Sequence, residues 1–184
     1  HHAASDNGSI AYIGGSGDDT LTFENKLAYR SGNSTFDMSR GGNNTFEAGI
    51  DAASFNGVLS YTGGPGEDSL TFGDDLAAFS GTATFDLGSD SAVDTVTFEG
   101  TVAASSGNVS ISNFDPSDGD TIVLQLFSDT ADVTLSASSS SDTLVSASGV
   151  AFVISSVVTG SLGLTTNSSG HVVITDAGSG SIIV

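Results

Sequence analysis

The stretch Gly14-Gly15-Ser16-Gly17-Asp18-Asp19-Thr20-Leu21-Thr22 returns 49 positions later as Gly63-Gly64-Pro65-Gly66-Glu67-Asp68-Ser69-Leu70-Thr71. Its glycines let the backbone take left-handed φ and turn carbonyl oxygens inward, and the aspartate that follows adds a charged oxygen. Carbonyl and carboxylate oxygens at this spacing are the ligand chemistry of a hard cation such as Ca2+. Each turn then runs straight into alternation: Leu21 and Phe23 share one face, while Thr20, Thr22 and Glu24 share the other. Turn, candidate ligand and strand form one unit, and that unit points to an all-β fold.

Outward from these turns, residues 8–106 read as an internal duplication. Gly8-Ser9-Ile10-Ala11-Tyr12 matches Gly57-Val58-Leu59-Ser60-Tyr61, and Thr35-Phe36-Asp37-Met38 matches Thr84-Phe85-Asp86-Leu87. After a three-residue insertion, Thr45-Phe46-Glu47 matches Thr97-Phe98-Glu99. Thr-Phe ends at Phe23, Phe36, Phe46, Phe72, Phe85 and Phe98, each marking a short strand between Gly/Asn/Ser turns. The phenylalanines are expected in the core. Only residues 24–30 and 73–79 have room for a helical turn. Stacked strand units that bury their apolar faces against their neighbours describe a solenoid, here with a wide coil that carries one glycine-rich turn per large unit.

From residue 107 the glycines and acids thin out and Val, Ile, Leu and Ser take over. A degenerate turn, Asn113-Phe114-Asp115-Pro116-Ser117-Asp118-Gly119-Asp120, adds Asp115, Asp118 and Asp120 as further candidate ligands. Alternating segments follow, and Asn167-Ser168-Ser169-Gly170 reads as a hairpin loop between two of them. The expected organisation is a duplicated calcium-binding β-solenoid or β-roll-like region over 1–106, then an antiparallel β cap or sandwich over 107–184.

The 184 residues carry a formal charge of −19 with only three basic side chains, and 38% apolar residues supply a core. That balance disfavours nucleic acid and anionic membrane surfaces, both of which need Lys and Arg to meet phosphates. No stretch approaches the roughly 20 apolar residues of a membrane span. There is no cysteine, and the Gly/Thr/Asp-rich composition points outside the cell. His171 is the sole histidine beyond the first two residues, which leaves a catalytic triad or a multi-histidine metal site without material. Lys26, Arg30 and Arg40 fall within fifteen positions and suggest a positive patch that meets the acidic surface of another copy.

Residues 14–22 and 63–71 resemble the nonapeptide repeats of RTX proteins, which bacteria export by type I secretion. Residues 114–124 are similar to a segment that follows such repeats, and residues 178–184, ending Ile182-Ile183-Val184, resemble an uncleaved export signal. The resemblance implies that adjacent turns jointly hold Ca2+, with Gly14, Ser16, Gly17 and Asp19 in one turn and Gly63, Pro65, Gly66 and Asp68 in the other. Asp18 and Glu67 stand at the variable position of the motif. The repeats here do not run in tandem, which favours a wider solenoid over a regular β-roll.

The expected function is an extracellular, calcium-dependent, self-assembling structural protein without enzymatic activity: a homo-polymer in a surface layer or biofilm matrix of a bacterial cell. The alternative is an adhesin module that binds a glycan or surface, or an accessory domain of a larger secreted protein.

Overall fold

The computed structural model describes residues 2–103 and 106–178; the suspected export signal lies almost entirely outside them. Alternation decides the architecture. Strands β2 (Ser9–Ile13), β4 (Asn33–Asp37), β6 (Val58–Thr62), β8 (Thr82–Asp86) and β10 (Asn108–Ser112) pair in parallel as one sheet. Strands β3 (Thr20–Leu27), β5 (Thr45–Ile50), β7 (Ser69–Phe72), β9 (Thr95–Phe98) and β11 (Thr121–Leu124) pair in parallel as the other, with β1 (His2–Ala3) beyond β3. One strand from each sheet makes a coil, and five coils stack as a β-solenoid.

The remaining strands extend the same two sheets. β12 (Thr134–Ala137), β13 (Thr143–Ala147) and β14 (Val150–Ile154) are antiparallel to one another, and β14 joins β10 in parallel. β15 (Leu162–Thr166) and β16 (Val172–Asp176) form the expected hairpin, and β16 pairs with β11 antiparallel.

The coil is half the duplicated unit. Successive coils repeat every 24 to 26 residues, so the 49-residue duplication spans two of them instead of one wide coil. Thr45 stands in register with Ser69 and Thr95, not Thr97, which places Phe46 over Leu70 and Val96. The insertion in the second unit is therefore one residue long at this point, and Phe98 stacks with Phe72.

Inward residues of both sheets meet in a narrow core. Phe36, Phe46, Tyr61, Phe72, Phe85 and Phe98 are fully buried, with Phe36–Phe46 centroids 4.8 Å apart and Phe72–Phe85 4.4 Å apart. All six Thr-Phe dipeptides lie on strands and send their rings inward. Ser34 occupies an inward position in register with Ile10 and Leu59, and its buried hydroxyl has no hydrogen-bond partner. Ser34→Ala removes that unpaired group at almost constant volume and is expected to raise stability by about 1 kcal/mol in urea denaturation.

The coil has two corners. At one, residues 24–30 and 73–79 are not helical. Residues at alternate positions take left-handed φ, coil after coil: Ala28 (+55°) and Arg30 (+51°), Ala53 (+54°) and Phe55 (+56°), Ala77 (+52°) and Phe79 (+52°). Each such residue costs about 1–2 kcal/mol in isolation. The stack offsets it, because Ala53 N–H donates to Leu27 O of the coil before (2.8 Å) and Phe55 N–H to Ala78 O of the coil after (3.0 Å). Phe55 and Phe79 depart from the core expectation: they are 37% and 46% exposed and stack on each other at 4.4 Å.

Gly32, Gly57, Gly81 and Gly107 form a column at this corner. Each packs directly against the carbonyl of an alanine in the preceding turn of the stack, so a Cβ at any of them would overlap that oxygen.

Candidate functional site

The other corner gathers every candidate ligand. Its turns are residues 14–19, 38–44, 63–68, 87–94 and 113–120, one per coil. The two glycine-rich motifs are thus two coils apart, with the turn containing Arg40 between them.

A single column of side chains runs through all five turns. The backbone N–H of Asp19 donates to Oδ1 of Asn44 (3.1 Å), that of Asn44 to Oδ1 of Asp68 (3.0 Å), that of Asp68 to Oδ1 of Asp94 (2.7 Å) and that of Asp94 to Oδ1 of Asp120 (2.8 Å). Each rung therefore accepts from the coil on its N-terminal side. At the far end, Asp120 Oδ2 accepts from Asp115 N–H (2.7 Å), and its own N–H donates to Asp115 O. At the near end, Asp19 accepts within its own coil, from Gly15 N–H (3.0 Å) and the Tyr12 hydroxyl (3.3 Å).

Asp68 is the most fully engaged. Its Oδ1 takes both the backbone N–H and the side-chain amide of Asn44, its Oδ2 takes the Tyr61 hydroxyl at 3.0 Å, and it is 1% exposed. Burial pushes its carboxyl up, against the pull of those donors, and burial beside Asp68 pushes the Tyr61 phenol up. Asp94 is lifted furthest, to about 7, first by burial and then, against the Asp68 N–H, by the neighbouring carboxylates of Asp120 and Asp68. Burial raises Asp120 as well.

A second, outer row runs with opposite polarity. Asn43 N–H donates to Asp18 Oδ1 (2.8 Å), and Glu67 N–H to Asn43 Oδ1 (3.1 Å). Asp115 binds Ser117 through both its N–H (2.9 Å) and its hydroxyl (2.6 Å), which hold its carboxyl low. Asp118 sits beside it, half-buried, with its N–H on Asp115 O.

The donor set bears directly on calcium. The oxygens of Asp19 and Asp68 face N–H and O–H donors, so a cation there would have to share oxygens already hydrogen-bonded within the fold. Two glycine carbonyls face along the stack: Gly17 O lies against the backbone of Gly42, and Gly42 O against Gly66, so turns 14–19, 38–44 and 63–68 approach closely at these glycines. Among the described residues no group of three or more His, Asp or Glu side chains converges to hold a metal ion. Pro65 and Ser16 are exposed on the outer rim, and Gly14 and Gly63 sit tightly under the carboxylates of Asp19 and Asp68. In this arrangement the corner does not fit an ion held as the nonapeptide motif would hold it.

Asn44 and Asp94 lie outside the full motif: Gly41-Gly42 precedes Asn44 without a third glycine and with an amide in place of the acid, and no double glycine precedes Asp94. A simpler signal finds them: Asp19-Thr20-Leu21, Asn44-Thr45-Phe46, Asp68-Ser69-Leu70, Asp94-Thr95-Val96 and Asp120-Thr121-Ile122 place an Asp or Asn before a hydroxyl residue and a large apolar one once per coil.

A cleft of about 190 Å³ opens at the same corner between coils four and five, lined by Gly88, Asp90, Asn113, Phe114, Asp115 and Ser156 among others. Its acids are tied to backbone, Asp90 to Ala92 N–H at 2.6 Å and Asp115 to Ser117. Set against protein-family models, curated proteins and solved structures, the chain matches none.

Proposed function

We propose that this chain is a non-enzymatic structural subunit that works outside the cell by associating end to end with further copies. The observation that carries the reading is the distribution of charge along the stack. Lys26 and Arg30 lie in the first coil and Arg40 in the second, while the later coils bear acids and no Lys or Arg. Lys26 and Arg30 belong to the left-handed corner and Arg40 to the opposite one, so the cations mark an end of the solenoid instead of a single patch. Arg30 lies 3.9 Å from Asp6 and, with Lys26, over the Tyr29 ring.

That end also presents adhesive backbone and apolar surface. β2 is the edge of its sheet, and Ile10, Tyr12, Leu21 and Phe23 are only partly buried where their counterparts in later coils are sealed. An edge strand beside apolar side chains is a template for a further strand. The acidic remainder of a second copy supplies the complementary charge.

Light scattering across a concentration series, at low and at high salt, tests this. The expected result is assembly that weakens with salt and is lost when Lys26, Arg30 and Arg40 are all changed to Gln, with circular dichroism unchanged. A monomer at every concentration overturns it and leaves the second reading, a glycan-binding adhesin module. The exposed Phe55 and Phe79 near Lys26 and Arg30 favour that alternative, since aromatic rings and cations together suit an acidic sugar.

A further inference from the structure

We infer that the acidic corner is held by its own hydrogen-bond donors instead of a cation: Asp19, Asn44, Asp68, Asp94 and Asp120 form one column whose side-chain oxygens accept from backbone N–H groups and, at Asp19 and Asp68, from the phenols of Tyr12 and Tyr61.

Three independent features point the same way. First, the two phenols of the column are each directed at the rung of their own coil: Tyr12 donates to Asp19 and Tyr61 to Asp68, while Phe36 and Phe85 stand at the same position in the coils of Asn44 and Asp94. Second, Asn44 stands in the column between two aspartates and accepts and donates as they require, so the column works with an amide as well as with a carboxylate. Third, the turn between the two glycine-rich motifs is the one that carries Arg40, so the coil that an ion shared with either motif would have to touch brings a fixed positive charge of its own.

The two glycine-rich motifs then have a common cause other than calcium. Gly14 and Gly63 leave room for a carboxylate to fold back toward its own turn, since a Cβ at either would meet Asp19 Oδ2 or Asp68 Oδ2. The motif is the local solution for an Asp rung that also receives a tyrosine.

Thermal unfolding of the full chain, in excess chelator and in millimolar calcium chloride, decides between the two. The expected result is a folded protein in chelator, with Tm moving by less than about 3 °C on adding calcium, roughly the shift that 1 kcal/mol produces in a chain of this size. An unfolded protein in chelator, or a larger rise with calcium, overturns the proposal. Asp68→Asn should melt within about 3 °C of the parent because it recreates the Asn44 arrangement, while Asp68→Ala should lose more than about 5 °C. Equal damage from the two substitutions would also overturn it, because the amide oxygen keeps the hydrogen-bond acceptor of the rung and alanine removes it. The melts are run at a concentration where light scattering shows monomer, so that association, which would itself raise Tm, does not enter the comparison.

Discussion

Gly57→Ala should prevent the coils from closing. The methyl group would occupy the position of the Ala28 carbonyl oxygen, a backbone atom that cannot swing aside as a side chain could. Overpacking a tight interior ordinarily costs about 1–3 kcal/mol and occasionally more. Overlap with main chain belongs at the top of that range or beyond, against a total stability of roughly 5–15 kcal/mol for a whole protein. The Ala28 carbonyl also cannot retreat without disturbing the left-handed residues on either side of it. Gly160→Ala is the control, because nothing lies within 4 Å of the added carbon and its backbone is ordinary. Urea unfolding followed by circular dichroism should show a lost or greatly weakened transition for Gly57→Ala and a nearly unchanged one for Gly160→Ala. Equal midpoints for the two would mean that this corner is not packed as described.

Asp94 should make the metal-free protein less stable as neutrality is approached from the acid side. Its carboxyl is lifted from 3.8 to about 7 in the fold, so between those values the folded chain holds a proton that the unfolded chain has released. The stabilisation is complete below about pH 4, is lost progressively as pH rises, and is gone above about pH 7. The full swing corresponds to roughly 4 kcal/mol. Asp68 and Asp120, raised in the same direction, steepen the acid part of the curve. Coil four is the place for this effect because Phe85 stands where Tyr61 supplies a hydroxyl one coil earlier. In Asp94→Asn the amide oxygen can still accept from Asp68 N–H, as Asn44 does from Asp19. Stability measured by urea unfolding from pH 4.5 to 8 should therefore diverge, with the variant flatter and ahead by several kcal/mol at pH 7.5. Parallel curves would show that Asp94 is not the group responsible.

The strands were legible because alternation survives any context: a sheet with one buried face needs it, and each of the six Thr-Phe dipeptides fell on a strand. Coil size was hidden by substitution. Tyr12 and Tyr61 occupy the positions of Phe36 and Phe85, and Leu21 and Leu70 that of Phe46, so neighbouring coils look less alike than coils two apart. The left-handed corner could not be read at all. Ala, Phe and Lys have no preference for positive φ, and what holds them there is hydrogen bonding to coils some 25 residues away, which no local pattern reports. At the acidic corner the glycine-rich motifs and the Asp-rich segment mark three of the five turns, 14–19, 63–68 and 113–120, and leave those at 38–44 and 87–94 unmarked. Two of the five rungs went unseen because glycines, not the Asp/Asn-Thr/Ser pair, were followed.

One consequence of the short coil concerns ancestry. What was copied and what folds are different lengths: duplication carried two coils at once, and it preserved the order Tyr with Asp, then Phe with its own rung, in Tyr12, Phe36, Tyr61 and Phe85. Gain or loss of a whole coil keeps all columns continuous, whereas a slip of a single residue would turn Leu70 and Phe72 to the outside and bring Ser69 and Thr71 in. Within the strands the stack can therefore change length only by whole coils, and single-residue changes such as the one in the second unit are confined to the turns.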